Sequence, residues 1–242
     1  MRYEVQNVQN KSIFAISYLT LHISYLLMFD NALIIFIKNP IKGKVKTRIA
    51  RTTGDDRALG IYLELSKITR QNALLLRGVT SYVFYSDFIE KDDEWATGSF
   101  QKCLQAGADL GERMLNAFDF ILKKHRSACI IGSDCPTLSV EILEQSFEQL
   151  KHFDCVVGPS TDGGYYLLGV KNKENEAEML NFSLNQALHI LFDDMVWSTD
   201  VVLPNTLRRI KENNQTLYLL PELTDIDEET DWLIFEKNRQ SH

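Results

Sequence analysis

The chain alternates between short apolar runs and segments whose apolar residues recur with helical spacing. Apolar runs bounded by turn residues predict buried strands, and a period of about 3.6 residues predicts helices with one buried face. The predicted strands are residues 32–38, 80–86, 128–132, 154–159, 165–170 and 216–221, and the predicted helices are residues 55–76, 110–122, 140–150 and 201–210. This alternation favours an α/β fold, with a mostly parallel sheet covered by helices on both faces.

One pair of predicted strands departs from the alternation. Residues 154–159 and 165–170 are separated only by Ser-Thr-Asp-Gly-Gly, which predicts a hairpin or sharp turn instead of a helical crossover. Ligands of open α/β sheets bind beyond the carboxyl ends of the strands. Functional residues are therefore expected in the segments that directly follow each strand.

The first 28 residues differ from the rest of the chain. Residues 13–29 form an uncharged run of 17, shorter than the roughly 20 residues that span a bilayer, and no signal-peptide cleavage site follows. Met28 opens the run that predicts the first strand, so we interpret residues 1–28 as an N-terminal extension that need not belong to the native protein. A membrane or interfacial anchor and a packed extra helix stay open as alternatives. Residues 29–242 are predicted to form a single domain.

Composition excludes several classes of function. The chain has 33 acidic and 26 basic residues, for a net charge of −7, which argues against a protein that coats nucleic acid or an anionic membrane, because that task needs a basic face. Its four cysteines show no CxxC spacing, which disfavours disulfide scaffolds and zinc ribbons and favours the reduced thiols of a cytoplasmic protein. The GxSxG and GxGxxG motifs of hydrolases and Rossmann dehydrogenases are absent.

A local excess of positive charge follows the first predicted strand. Residues 38–51 contain no acid and six basic residues, namely Lys38, Lys42, Lys44, Lys46, Arg48 and Arg51. Such an inversion in an acidic chain favours an anionic ligand, because Gly43 lets the backbone approach closely and the guanidinium of Arg48 suits bidentate phosphate contacts. The segment is not a P-loop, since GxxxxGK[ST] is absent. A solvated basic loop is the alternative.

Two acidic residues follow later strands and each has two interpretations. Asp134 comes after the apolar run at 128–132, where its carboxylate would point into the ligand crevice and suit Mg²⁺ or Mn²⁺. The alternative is a turn or a helix cap, a role for which Ser139 is better placed. Asp227 precedes a terminal helix predicted from about Glu228, and is either the N-cap of that helix or a second metal ligand.

Two further motifs each have two possible interpretations. Asp162-Gly-Gly-Tyr-Tyr166 is explained by turn chemistry, or by a glycine-cleared pocket lined by the hydroxyls of Tyr165 and Tyr166. Trp197-Ser-Thr199 predicts first the N-cap of a helix from Asp200 and second a substrate contact.

Six motifs, in this order, resemble one known family. They are Lys38-x-Pro-x-x-Gly-x-x-Lys-Thr-Arg48, Gln105-x-Gly-x-Asp-Leu-Gly-Glu-Arg-Met114, Gly132-Ser-Asp-Cys-Pro136, Asp162-Gly-Gly-Tyr-Tyr-Leu-Leu-Gly169, Trp197-Ser-Thr199 and Asp225-Ile-Asp227. From about residue 32 to 235 the chain resembles the GT-A-type, nucleotide-diphospho-sugar-transferase-like proteins named radical-SAM/selenodomain-associated transferases or arsenosugar biosynthesis glycosyltransferases. Residues 1–28 have no counterpart there, and Glu228 and Glu229 stand where an Asp-Ile-Asp-Thr-Pro-like ending is expected.

The resemblance implies a GT-A fold for residues 29–242, with a Rossmann-like sheet and a divalent cation, Mg²⁺ or Mn²⁺. Residue by residue, it implies that Lys38, Lys46 and Arg48 hold the phosphates and that Asp134 holds the metal. Gly107, Asp109 and Gly111 would lie near the nucleotide, and Asp162, Gly163 and Gly164 would face the sugar or acceptor. By looser analogy with nucleotidyltransferases, Asp227 would be the second metal ligand. Gly43 and Tyr165 complete the predicted substrate-binding residues, and Arg48, Asp134 and Asp162 are the predicted catalytic residues.

The function that the resemblance implies is metal-dependent glycosyl transfer from a nucleoside diphosphate sugar to a small acceptor. The alternative is a nucleotidyltransferase, similar to guanylyltransferases, that releases pyrophosphate from a nucleoside triphosphate. A third hypothesis is a nucleotide-sensing or assembly protein without turnover. The expected partners are a nucleotide or nucleotide sugar and a small acceptor, with no nucleic acid, and a membrane is disfavoured.

Overall fold

The described strands form one seven-stranded sheet in the computed structural model, which describes residues 29–172 and 184–240. The strands are β1 (Phe29–Ile37), β2 (Val79–Tyr85), β3 (Phe100–Leu104), β4 (His125–Ile131), β5 (Cys155–Pro159), β6 (Tyr165–Lys171) and β7 (Leu217–Leu219). They pair in the order β3-β2-β1-β4-β6-β5-β7. Neighbours run parallel except where β6 pairs with β4 and β5, so the mostly parallel sheet expected from the sequence is confirmed.

Helices cover both faces of this sheet. They are α1 (Thr47–Thr53), α2 (Asp55–Leu75), α3 (Leu110–Leu122), α4 (Val140–Gln149), α5 (Leu184–Phe192), α6 (Val202–Glu212) and α7 (Glu229–Gln240). The central strand β1 shows why both faces need cover, because Ala32 and Ile34 pack into one core while Leu33 and Ile35 pack into another. The first core is completed by α3, α5 and α6, and the second by α4 and the end of α2. A strand buried on both faces reads as a continuous apolar run.

A third apolar cluster joins the two ends of the described chain. Ile49 of α1 and Ile61 and Leu65 of α2 pack with Ile226 and with Trp232 of α7. Each of these side chains is at most 4% exposed. The cluster therefore docks the C-terminal helix against the helix that follows the basic loop.

Three elements were not expected from the sequence pattern, and one of them, α1 (Thr47–Thr53), is a helix in the last part of the segment 38–51 that was predicted to be a loop. The edge strand β3 has Phe100 as its one buried residue, with Gln101 and Lys102 beside it, so it lacks the apolar run that identifies the inner strands. The helix α5 was likewise not predicted. The expected hairpin at residues 154–170 is confirmed as the antiparallel pair of β5 and β6.

The membrane interpretations of the N-terminus fall on residues that the structure does not describe, since residues 1–28 lie outside the described ranges. Within those ranges, none of the helices is both long and apolar enough to cross a bilayer. The first described strand starts at Phe29, directly after Met28.

Candidate functional site

A cleft of about 660 Å³ opens at the edge of the sheet where β1 to β4 end and β6 begins. Because β6 runs antiparallel to its neighbours, its first residue lies at the same edge as the last residues of the parallel strands. Strand order then sets the order of side chains along the cleft. From one end to the other, the lining residues that follow or start the strands are Gln105, Ser86, Lys38, Asp134 and Tyr165.

The basic loop contributes three cations to this cleft, Lys38, Lys46 and Arg48. The backbone of Lys38 is fixed by Tyr62, whose hydroxyl donates to the Lys38 carbonyl at 2.6 Å and accepts from the Lys38 N–H at 2.9 Å. Lys42 forms an ion pair with Asp56 (2.7 Å) and does not line the cleft. The structure thus separates the basic residues of this segment into those that line the cleft and those that do not.

The ammonium of Lys46 lies among oxygen atoms from two other segments. Its Nζ is 2.9 Å from Asp134 Oδ2, 2.6 Å from the backbone oxygen of Ile226 and 3.7 Å from Asp227 Oδ1. The Lys46 side chain is only 7% exposed, and its backbone is left-handed (φ 45°), a conformation that costs free energy for a residue with a Cβ. Arg48 donates to the other oxygen of Asp227 at 2.9 Å. Both predicted metal ligands are therefore bound to cations of the basic loop.

Asp134 lies just beyond the end of β4, with Gly132 giving it room. A Cβ at Gly132 would come within 2.7 Å of Asp134 Oδ1. The Asp134 carbonyl accepts a hydrogen bond from the Ile226 N–H at 2.9 Å, which ties the end of β4 to the segment before α7. The helix-cap interpretation of Asp134 is wrong, because Ser139 is the N-cap of α4 and accepts from the Ile142 N–H.

The sequence motif Asp225-Ile-Asp227 includes a site residue to which no role was assigned. Asp225 lines the cleft, and its Oδ2 accepts a hydrogen bond from Ser160 Oγ at 2.9 Å. Burial, followed by the negative charges of Asp134 and Asp162, raises the pKa of Asp225 to about 6. The only signal in the sequence was its spacing of two residues from Asp227, which in an extended segment places both side chains on one side.

The Asp162-Gly-Gly segment is a tight turn that also shapes the acidic end of the cleft. Asp162 Oδ1 accepts from the Gly164 N–H at 2.9 Å, and Gly163 has a positive φ of 88°. A Cβ on Gly163 would meet the backbone of Asp200 at 2.6 Å, and the Gly163 carbonyl accepts from the Leu203 N–H at 2.9 Å. The turn and ligand interpretations are therefore compatible, since the turn brings the lining residues Asp162 and Asp200 close together.

The two tyrosines after this turn point to opposite faces of β6, as neighbouring strand residues do. Tyr165 packs against the first core and its hydroxyl donates to Met114 Sδ at 3.9 Å, a weak hydrogen bond. Burial raises the pKa of Tyr165 well above its ordinary value, so this hydroxyl stays protonated. Tyr166 packs into the second core, where its hydroxyl donates to the Pro221 carbonyl at 2.8 Å. Both tyrosines line the cleft, but the hydroxyl of Tyr166 is already bonded to a backbone carbonyl, whereas that of Tyr165 has only the weak Met114 partner.

The far end of the cleft holds two polar residues, Gln105 and Arg113, that were quoted in a motif but given no role. The Gln105 side-chain N–H₂ donates to the carbonyls of Ile37 (3.1 Å) and Phe84 (2.9 Å). Two carbonyl partners fix the amide orientation, so the Gln105 oxygen is turned toward the Arg113 guanidinium, 3.5 Å away. An acceptor and a donor therefore stand side by side in the cleft wall.

The predicted site residues fall into two groups. Those that line the cleft are Lys38, Lys46, Arg48, Asp134, Asp162, Gly164, Tyr165 and Asp227, and those that do not are Gly43, Gly107, Asp109, Gly111 and Gly163. The second group supports the cleft instead. For example, Gly43 forms a turn with φ 77°, and Asp109 is the N-cap of α3, accepting from the Glu112 N–H at 2.9 Å.

The Trp197-Ser-Thr199 segment is not a helix cap. The helix α6 begins at Val202 without a side-chain cap, and Thr199 Oγ1 donates to the Val196 carbonyl at 2.7 Å. The cap prediction failed because Ser198 takes a left-handed conformation (φ 62°) and turns the chain before the helix starts. All three residues of the segment line the cleft, as the second interpretation of the motif required.

The donor set around Lys46 fits a hard divalent cation. In the part of the chain that the structure describes, no group of three or more His, Cys, Asp or Glu side chains is arranged to hold a metal. However, two carboxylates and the Ile226 carbonyl surround the Lys46 ammonium, which occupies the place that a metal cation would take among these oxygen ligands. Oxygen donors of this kind suit Mg²⁺ or Mn²⁺.

Comparisons with known proteins agree with this architecture. A family model described as "Uncharacterized protein conserved in bacteria (DUF2064)" matches residues 69–199. No curated protein matches the chain. Among solved structures, a Desulfovibrio desulfuricans G20 protein proposed to be a nucleotide-diphospho-sugar transferase is similar, with 26% identity, a TM-score of 0.71, and coverage of 83% of this chain and 84% of its own.

Two more distant structures share the fold. The 4-diphosphocytidyl-2C-methyl-D-erythritol synthase from Anaerococcus prevotii DSM 20548 is 9% identical, covers 88% of this chain and 96% of its own, and has a TM-score of 0.55. The inositol-1-phosphate CTP transferase from T. maritima is 13% identical, covers 85% of this chain and 91% of its own, and has a TM-score of 0.50. At these identities the likeness concerns the fold alone. With a family model that spans more than half of its residues, the chain belongs to the DUF2064 family and has the fold of the nucleotide-diphospho-sugar transferases.

Proposed function

We propose that the protein is a metal-dependent glycosyltransferase that moves a sugar from a nucleoside diphosphate sugar to a small acceptor. The transferase class is supported by the fold it shares with the nucleotide-diphospho-sugar transferases. The choice of glycosyl transfer is carried by the division of charge along the cleft. Cations of the basic loop lie at its middle, and Asp162, Asp200 and Asp225 lie at the β6 end.

The middle of the cleft suits the diphosphate of a donor. Lys38 and Arg48 line it, and both side chains can donate charge-assisted hydrogen bonds to phosphate oxygens. Toward the β3 end, the Gln105 oxygen and the Arg113 guanidinium offer an acceptor and a donor to a nucleobase. Asp134 and Asp227 would hold Mg²⁺ or Mn²⁺, which when bound supplies positive charge beside the departing diphosphate.

The acidic end of the cleft suits a neutral acceptor. A hydroxyl that attacks a sugar must lose its proton, and a carboxylate such as that of Asp162 can accept it. The phosphorylated acceptor of a nucleotidyltransferase would instead bring negative charge next to Asp162, Asp200 and Asp225, where Coulomb repulsion opposes binding. Tyr165, whose weakly bonded hydroxyl stays protonated, is available to donate to a sugar or acceptor oxygen.

Product analysis distinguishes the two transferase reactions. With nucleotide sugars and Mn²⁺, the protein should release nucleoside diphosphate, at least by slow hydrolysis when no acceptor is present. With nucleoside triphosphates and phosphorylated acceptors, it should release no pyrophosphate. Asp162→Asn should slow the first reaction, because it removes the proposed base while keeping an oxygen for the Gly164 N–H. Pyrophosphate release without consumption of any nucleotide sugar would replace this proposal with nucleotidyl transfer.

A further inference from the structure

The position of Lys46 raises a conflict with the proposed metal site. Its ammonium contacts both proposed metal ligands, Asp134 and Asp227. It also donates a hydrogen bond to the Ile226 carbonyl. The side chain is 7% exposed, whereas those of Asp134 and Asp227 are 44% and 42% exposed. Lys46 is therefore a buried cation paired with two carboxylates that are partly exposed to solvent.

The ammonium and a divalent cation cannot use the same oxygens together. A metal bound to carboxylates lies about 2–2.6 Å from their oxygens, and Lys46 Nζ already lies 2.9 Å from Asp134 and 2.6 Å from the Ile226 carbonyl. A metal on those same oxygens would lie so close to the ammonium that Coulomb repulsion opposes the binding of both. One of them has to leave.

We propose that Lys46 is an internal counter-ion that holds Asp134 and Asp227 together in the metal-free protein and must leave them before a divalent cation binds. This inference rests on the proposed metal site. The cleft that Lys46 lines gives the displaced ammonium a place to go, since a donor diphosphate bound beside Lys38 and Arg48 attracts it. Metal and nucleotide would then bind with positive coupling, because each favours the position of Lys46 that the other needs.

A neutral residue at position 46 tests the proposal with the metal alone. Mn²⁺ affinity is measured by calorimetry or electron paramagnetic resonance on the full chain without any nucleotide. Lys46→Gln, which keeps a donor for the Ile226 carbonyl, and Lys46→Met should each bind Mn²⁺ about tenfold or more tightly than the wild type, a typical size for coupled sites. Lys44→Gln is the matched control, because it removes the same charge from an exposed position in the same loop and should change affinity far less.

A second measurement uses the unmodified chain and does not depend on the folding of a variant. Amine-reactive labelling, followed residue by residue with mass spectrometry, should find Lys46 protected and Lys44 reactive in the metal-free protein. Saturation with Mn²⁺ should raise the labelling of Lys46 severalfold and leave Lys44 unchanged.

The outcomes separate this inference from the proposed function. If the wild type binds Mn²⁺ and the position-46 variants bind it no more tightly, or if bound Mn²⁺ leaves Lys46 protected, Lys46 is not a counter-ion, while glycosyl transfer stays possible. If neither the wild type nor any variant binds Mn²⁺, the metal site is wrong and the counter-ion role is wrong with it. Loss of nucleotide-sugar turnover with the expected Mn²⁺ results would count against the reaction only.

Discussion

The indole of Trp197 lies directly over Gly111, so that a Cβ added to Gly111 would come within 2.5 Å of Trp197 Nε1. Trp197 also packs against Phe192 and lines the cleft. Gly111 is in the first turn of α3, and its lack of a side chain lets the loop before α6 close the cleft wall. Gly111, predicted to lie near the nucleotide, therefore does not line the cleft itself but packs against a residue that does.

We expect Gly111→Ala to lower the free energy of unfolding by about 1–3 kcal/mol, the usual cost of an added methyl group in a packed site. The change should also alter Trp197 fluorescence, because the ring has to move. Gly60→Ala in α2 is the control, since nothing lies within 4 Å of its new Cβ, and alanine there should add about 0.5–1 kcal/mol through helix propensity. Equal unfolding free energies for the two variants, measured in urea, would contradict the packing role of Gly111.

Asp134→Asn should remove the effect of Mn²⁺ on nucleotide binding and leave the fold intact. Asparagine keeps the shape of the side chain, but it removes the negative charge that a divalent cation needs. Thermal-shift measurements with nucleoside diphosphates, with and without Mn²⁺, check this, because ligands that bind only the native state raise its melting temperature. Asp56→Asn, on the exposed pair with Lys42, is the control. A Mn²⁺-dependent shift retained by the Asp134 variant would exclude it as a ligand.

Arg48→Lys should weaken nucleotide diphosphate binding by about 1–3 kcal/mol, because the ammonium keeps the charge but loses the planar fork. The Arg48 side chain is 60% exposed and reaches Asp227 at 2.9 Å, so its loss should cost little stability. Titration of a nucleoside diphosphate by calorimetry measures the effect. Arg51→Lys, in the same helix α1 but outside the cleft lining, should bind like the wild type. Equal affinities for all three proteins would refute a phosphate contact.

Acidification below pH 7 should destabilise the fold through His125. This residue is fully buried in β4, and its Nε2 is 3.0 Å from the Tyr82 hydroxyl. Burial, assisted by the charge of Lys124, lowers the pKa of His125 below its ordinary 6.5. The unfolded chain therefore takes up a proton on His125 at a pH where the folded chain does not, so the contribution of His125 to stability falls as the pH drops through 6.5 and levels off below the folded pKa. Urea unfolding at pH 7.5 and 5.5 should show this loss, and His125→Gln should reduce it.

The sheet and the position of Asp134 could be predicted from the sequence because both follow from local patterns. A strand buried on both faces is a continuous apolar run, and a residue that directly follows such a strand lies at the ligand-binding edge. The edge strand β3 could not be found in this way, since only its first residue is buried. Its place in the sheet is set by pairing with β2, which no local pattern records.

The contacts that define the site could not be predicted either, because they join residues far apart in the sequence. The three oxygens around Lys46 come from segments 88 and 180 residues away, which are brought together by the third apolar cluster and by the backbone hydrogen bond from Ile226 to Asp134. The cap predicted for Thr199 failed because a single left-handed residue, Ser198, redirected the chain. Motif order identified which segments meet, but not which atoms.

The distance along the chain between Lys46 and Ile226 also sets when the site can form. The ribosome adds about 5–20 residues per second, so the 180 residues between them take roughly 10–40 s to synthesise. In roughly the second half of that interval, after residue 134 has been added, Lys46 and Asp134 are both present, whereas Ile226 and Asp227 are not. A nascent chain can therefore pair the strands β1 to β4 and form the Lys46–Asp134 ion pair before Asp227 has been synthesised.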